Sequence, residues 1–270
     1  PSGSSVKTCL VVGAQGFIGS ALAAEAAARG YALTAVDLDN YAACRGAAAD
    51  LLVNASGNSR KFIDDQDPVR GFELSVASVL GVLRDFPCGR FVQLSSGAIY
   101  PREDDPRRNA EDAPLAPADM SRYGFHKWLA EQLVRHYAPR HLILRLGGFV
   151  GPGLRKNAVY DLLAGRPLFV HPDSEFQYMD VRDLARAVLD LAERPDLPAS
   201  PLNVSARGTV SVRRIAEWAG RALPPDADRQ PRTRAELNVD RAGQLLPLPD
   251  TAETLRNFIR EVHSGALTLP

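Results

Sequence analysis

One stretch near the start limits the possible folds more than any other. "CLVVGAQGFIGSAL" runs from Cys9 to Leu22: an apolar strand-like run, glycines at 13, 16 and 19, then an alanine-rich helical segment. Strand, G-x-x-G-x-x-G and helix in that order is the layout of a phosphate-cradling turn. Gly13 permits positive φ, Gly16 lets an anion approach the backbone, and Gly19 lets helix and strand pack closely. The exposed N–H groups and positive dipole end of the helix from Ile18 then face the anion. Gln15, Phe17 and Ile18 fill the turn between the glycines. Three glycines also suit a plain bend between strand and helix, so the turn alone leaves both readings open.

The rest of the first half supports the stricter reading. "CLVV", "ALTAV", "LLVNA", "RFVQLS" and "LILRL" are short apolar runs of the kind that form parallel strands covered on both faces. Helical patterns at Ser20 to Arg29, Val69 to Phe86 and Tyr123 to Tyr137 separate them. Such alternation predicts an α/β fold, a Rossmann-type doubly wound parallel sheet. Asp37 ends "ALTAVD", where a carboxylate can accept hydrogen bonds from both adenosine ribose hydroxyls and would repel a 2′-phosphate. Its other reading is a strand-end turn aspartate. Taken together, turn and aspartate point to NAD rather than NADP.

The second half is less regular. "GPGLRKN" reads as a loop and "YDLLAG" as a short helix ended by glycine. "RDLARAVLDLAE", Val212 to Ala222 and Thr251 to Val262 read as further helices. This predicts a cofactor domain over 6–150, with 177–205 returning to it, and a smaller C-terminal substrate domain from 151–176 and 206–266.

Composition removes several function classes. In 270 residues, 32 basic side chains balance 32 acidic ones without a like-charged block, which speaks against nucleic acid or membrane lipid as partner. Cys9, Cys44 and Cys88 suit neither a disulfide framework nor a metal site, and they favour a reducing compartment. Cys9 reads as a buried, inert thiol. "PSGSS" reads as a flexible leader, and the expected location is cytoplasmic.

"SRYGFHKWLAE" sets Tyr123 and Lys127 four apart at the start of a helix, hence on one face. A nearby ammonium favours tyrosinate, so Tyr123 can exchange a proton with a substrate hydroxyl or carbonyl. A surface pair with the tyrosine packed at its edge is the plainer alternative. Ser96 ends "RFVQLSS" at the C-terminal end of a strand, facing the crevice where such sheets bind ligands. A serine there also suits a turn cap.

At this point the chain resembles the extended short-chain dehydrogenases/reductases, the NAD-dependent epimerase/dehydratase family. The likeness runs through "VVGAQGFIG", "SSGAIY", "SRYGFHK", "LRLGGFVGPG", "YMDVRDLARAVLDL" and "LNVSARGTVSVRRIAE", in the family's order. It implies Ser96 as the catalytic hydroxyl, Tyr123 as general acid/base, and Lys127 as the residue that lowers the phenol's pKa and holds the nicotinamide ribose. Ala55, Ser56 and Gly57, after the strand "LLVN", join the implied cofactor site. Asn58, Ser59, Ser96, Gly97, Gly148, Lys156, Asn157, Gln177 and Arg182 make up the implied substrate side. Tyr123 fills the acid/base role, so His126 and His171 are expected to be structural or exposed.

The resemblance also narrows the chemistry. Gly97 and Ala98 stand where dehydratase-like members carry an acidic pair, which leaves reversible hydride transfer. The expected activity is epimerisation of a nucleotide-activated sugar, with a ketoreductase or dehydrogenase as alternative and a non-catalytic NAD sensor as the alternative from another class. A homodimer is expected through the helices at Val69–Phe86 and Tyr123–Tyr137. Three departures stand out. The segment after Asp37 is too short for the usual edge strand and crossover helix. Gly148 replaces an asparagine. Phe176 replaces an arginine, for which Arg182 or Arg155 can substitute.

Overall fold

The computed structural model describes residues 6–270; "PSGSS", expected above to be a flexible leader, lies outside the described residues. Two compact units are present. One comprises residues up to Pro101, Pro114–Leu146 and Ala185–Leu202, and the other Arg102–Ala113, Gly147–Leu184 and Asn203–Pro270. The loop 102–113, read from sequence with the cofactor domain, belongs to the second unit, as do 147–150, 177–184 and 203–205.

The first unit alternates strand and helix. Its elements are β1 (Thr8–Val12), α1 (Phe17–Ala28), β2 (Ala32–Val36), α2 (Tyr41–Cys44), β3 (Ala49–Asn54), α3 (Lys61–Gln66) and α4 (Pro68–Phe72). A π-helical segment, Glu73–Ala77, follows. Then come α5 (Ser78–Asp85), β4 (Cys88–Ser96), α6 (Arg122–Tyr137) and β5 (His141–Leu146). All five apolar runs read from sequence are strands. Helix α1 begins at Phe17, ahead of the expected start, because Gly16 serves as its N-cap. The stretch Val69–Phe86 is two α-helices joined by the π segment, which apolar periodicity does not reveal.

The sheet has the order β2–β1–β3–β4–β5, closed by a sixth strand at Leu202–Val204. Pairing among the first five strands is parallel. Strand order reverses beside β1, so the glycine turn leaving β1 lies at the switch point where doubly wound sheets take ligands. Leu10, Val12, Leu52, Phe91 and Ile143 of the sheet pack with Val79 and Val82 of α5, Phe86 just after it, and Ala130 and Val134 of α6. Cys9 on β1 is fully buried, and desolvation pushes its thiol up to about 12, an inert group.

Strand β2 is the sheet edge, and the connection to β3 carries only the single-turn α2. The missing edge strand and crossover expected after Asp37 are indeed absent among the described residues. Tyr41 does part of their work: its ring meets Phe86 edge-on at 5.1 Å, and its hydroxyl donates to Asp85 at 3.1 Å.

In the second unit, helix Val212–Ala219 stops before the expected Ala222 because Gly220 adopts the left-handed conformation that ends helices. The chain's two tryptophans fall one to each unit. Trp128 on α6 stacks on Phe125 (6.0 Å, 19° between planes). Trp218 lies between Arg256 and Arg214, whose guanidinium carbons are 4.8 and 5.5 Å from the ring centre.

Candidate active site

The glycine turn is built tightly. Gly13 takes φ +82°, and its N–H donates to the Val36 carbonyl at 2.8 Å, which ties the turn to β2. A Cβ at Gly19 would lie 1.9 Å from the Gly13 carbonyl oxygen, so only glycine lets α1 start against the turn. Gly19→Ala is therefore expected to cost about 1–3 kcal/mol through overpacking, measured by urea unfolding. At Gly16 a Cβ would meet only the Gly13 oxygen within 4 Å, at 3.1 Å. Asp37 does more than end a strand. Its Oδ2 accepts the Gln15 N–H at 2.6 Å, and its Oδ1 accepts the Leu38 N–H at 3.2 Å.

After β3, Ala55 donates its N–H to the Val12 carbonyl, and Ser56 bonds the Asn54 side chain through both its N–H and its hydroxyl. Gly57 turns the chain at φ +119°, and a Cβ there would lie 3.6 Å from Lys127 Nζ. Asn58 is buried and offers its carbonyl to the Tyr123 hydroxyl at 3.3 Å. Ser59 beside it is exposed.

Ser121 caps α6 by accepting the Gly124 N–H at 3.1 Å, and this fixes the turn that carries Tyr123. Gly124 packs so closely on the turn after β4 that a Cβ would sit 2.1 Å from the Ala98 carbonyl. That contact docks Tyr123's helix on the segment headed by Ser96. The Ser96 hydroxyl accepts the Ala98 N–H at 3.1 Å, with Gly97 buried between them. Its own proton stays available to a ligand oxygen.

Tyr123 and Lys127 are both buried, with Nζ 5.5 Å from the ring centre. Burial pulls the Lys127 ammonium down to about 8, against the charge of Asp64, which raises it. Two residues not singled out from sequence join them. Lys61 on α3 places its Nζ 5.9 Å from the Tyr123 ring. Asp64, fully buried, lies 2.6 Å from His126 Nδ1. His126 is thus a buried partner of Asp64, three residues from Tyr123. The helical spacing was visible in the sequence, but the carboxylate 62 residues away was not.

Below this cluster runs a second one. Buried Glu131 accepts from Ser95 at 2.7 Å and, with both oxygens, from Arg145 at 3.0 and 2.9 Å; Arg145 also donates to the Tyr100 hydroxyl at 2.7 Å. It ties α6 to β4 and β5.

The remaining expected substrate residues belong to the second unit, and the structure gives most of them structural work. Gln177 is buried with its amide paired to both backbone groups of Leu237. Asn157, at φ +141°, caps helix Ala158–Leu163 and donates to the Phe149 carbonyl. Gly148 lies where a Cβ would meet the Gln177 carbonyl at 2.6 Å. Arg182 is held by Asp180 and Glu261. Lys156 is exposed in the loop after "GPG". His171, 22% exposed, sits among Asp173 and Asp228.

A doubly wound sheet with a glycine turn at its switch point and a buried Tyr–Lys pair on one helix defines a dinucleotide-dependent enzyme class. The chain belongs to the NAD dependent epimerase/dehydratase family, whose model matches residues 9–205. Among curated proteins none matches it. Solved structures share the fold. A UDP-galactose 4-epimerase superposes with TM-score 0.77 at 23% identity, covering 96% of this chain and 99% of the other. A dTDP-4-dehydrorhamnose reductase from Bacillus anthracis, in complex with NADP, gives 0.78 at 16% (96% and 100%). MoeE5, with UDP-glucose and NAD, gives 0.76 at 21% (96% and 99%).

The residues fit the family's cofactor. The first turn of α1 carries N–H groups without helical partners and no carboxylate, behind a glycine with no side chain. Asp37 stands at the end of the next strand.

Proposed function

We propose that this protein is an NAD-dependent epimerase acting by reversible oxidation of a hydroxyl-bearing carbon, its substrate a nucleotide-activated sugar. The observation that carries the reading is the buried Tyr123–Lys127 pair, on a helix docked at Gly124 against the segment that Ser96 heads. The turn of Gly13 to Gly19, with Asp37, Ala55, Ser56 and Gly57, would hold NAD, which when bound would supply the two-electron acceptor and donor. Tyr123 takes the hydroxyl proton as its carbon is oxidised and returns it on reduction. Lys127 favours the phenolate by its charge, and Ser96 donates to the reacting oxygen. Gly97 and Ala98 carry no acid/base group, which supports this chemistry over elimination.

The test is direct. The purified protein is expected to release NAD on denaturation, seen by mass spectrometry, and to interconvert UDP-glucose and UDP-galactose without added dinucleotide. Stoichiometric reduction of added NAD would instead identify a dehydrogenase. The short α2 connection favours that second reading, since a bare sheet edge beyond Asp37 holds a dinucleotide less completely.

Lys127 assists only as a cation. Its depressed pKa therefore places the alkaline fall of kcat/KM at about pH 8, below the ordinary lysine range. A profile flat to pH 10 (about the ordinary lysine pKa) would remove Lys127 from the mechanism.

Exposed Val69, Phe72, Leu80 and Tyr137 on α4, α5 and α6 support assembly as a homodimer through these helices. Among the described residues no helix is long and apolar enough to cross a membrane.

A further inference from the structure

Helix α3 places a carboxylate where chains rarely tolerate one. Asp64 is fully buried, a position that charged groups take only when paired. One oxygen lies 2.6 Å from His126 Nδ1, and the other accepts the side-chain amide of Asn58. Gly71 makes room for it, since a Cβ there would lie 2.6 Å from Asp64 Oδ1. His126 is buried too, with the Phe72 ring edge-on at 5.8 Å. Each contact leads to the candidate site. Asn58 offers its carbonyl to the Tyr123 hydroxyl, His126 directly precedes Lys127, and Lys127 itself feels the carboxylate's charge.

We propose that Asp64 is a positioning residue: its carboxylate is the counter-charge of the buried Lys127 ammonium and holds the Asn58 carbonyl against Tyr123, while His126 clamps the carboxylate. The inference rests on the roles proposed above, Tyr123 as the acid/base and Lys127 as the cation beside it.

Other negative charges on α6 and the elements packed against it are engaged elsewhere. Glu131 is taken by Arg145 and Arg135, and Asp85 by Arg84 and Arg45. Asp65 lies by Arg122, and Glu73 by Arg70. Of the cations, Arg90 donates to the carbonyls of Ala192 and Arg194, and Lys61 adds a like charge near Tyr123. Asp64 is the carboxylate placed to offset Lys127.

Asp64→Asn tests this, because it keeps the size and an oxygen for the Asn58 amide while removing the charge. The chain holds only four lysines, so lysine labelled with carbon-13 gives a readable titration without substrate. Lys127 is expected to titrate at about 8 in the wild type, and about one pH unit lower in the variant. The alkaline limb of kcat/KM should move by the same amount, with kcat falling more than KM rises. His126→Asn leaves the carboxylate charged and should leave the midpoint in place. An unmoved midpoint in Asp64→Asn overturns the proposal, as does an equal fall in His126→Asn. Should Asp64→Asn fail to fold, the wild-type Asp64 carboxyl carbon must still show a step at the Lys127 midpoint, and its absence overturns the proposal equally. A shifted midpoint without turnover of UDP-glucose or UDP-galactose supports the charge pairing and removes the proposed reaction.

Discussion

Tyr123→Phe is expected to lower kcat by about 10²–10⁴-fold, the range a positioned acid/base contributes, while leaving the fold and dinucleotide binding in place. The substitution removes one oxygen and keeps the ring, which is buried against α3 and the turn after β3. The hydroxyl's bond to the Asn58 carbonyl is long, at 3.3 Å. Its loss should therefore cost no more than about 1 kcal/mol of stability. The ring stays beside Lys127, so the lysine's surroundings are kept. Turnover measured on nucleotide sugars, with released NAD quantified in the same preparation, separates chemistry from binding. A kcat within a few-fold of wild type would end Tyr123's role and favour a cofactor-sensing protein.

Glu131→Ala carries the largest expected effect on stability. Glu131 is fully buried, and it meets Ser95, Arg145 and Arg135. Burial works against the Arg145 cation, and Glu131, with Tyr100, more than restores it. Arginine does not escape by losing its proton, so deleting the carboxylate leaves an uncompensated charge in the sheet. Breaking a buried pair in this way costs about 3–5 kcal/mol. Urea unfolding should show this as a lowered midpoint with an unchanged slope. The double variant Glu131→Leu with Arg145→Met should regain most of the loss, because the stranded charge is gone. A single-variant cost below about 1 kcal/mol would mean that water or neighbouring groups already satisfy Arg145.

The strands and the glycine turn were legible because their signals are local. An apolar run bounded by polar residues needs no knowledge of its partners, and neither does a glycine series that opens a helix. Tyr123 and Lys127 were legible by helical spacing. Asp64 was not, because a carboxylate in "KFIDDQ" looks like a solvated helix face until α3 is folded against α6. Gln177 and Asn157 show structural work that the sequence does not display. Their side chains suit a sugar or phosphate, yet the fold uses them to complete backbone hydrogen bonding at Leu237, Phe149 and Tyr160. The membership of 102–113 in the second unit was hidden for a similar reason. Asn109 there bonds Glu236 and Asn238, over a hundred residues away along the chain.

The placement of the two tryptophans makes the chain its own optical instrument. Trp128 shares α6 with Tyr123 and Lys127, so its emission reports the helix that carries the candidate chemistry. Trp218 sits between two guanidinium groups in the other unit and reports there instead. Replacing either by phenylalanine leaves a single-colour probe, with which loss of structure in each unit can be timed separately.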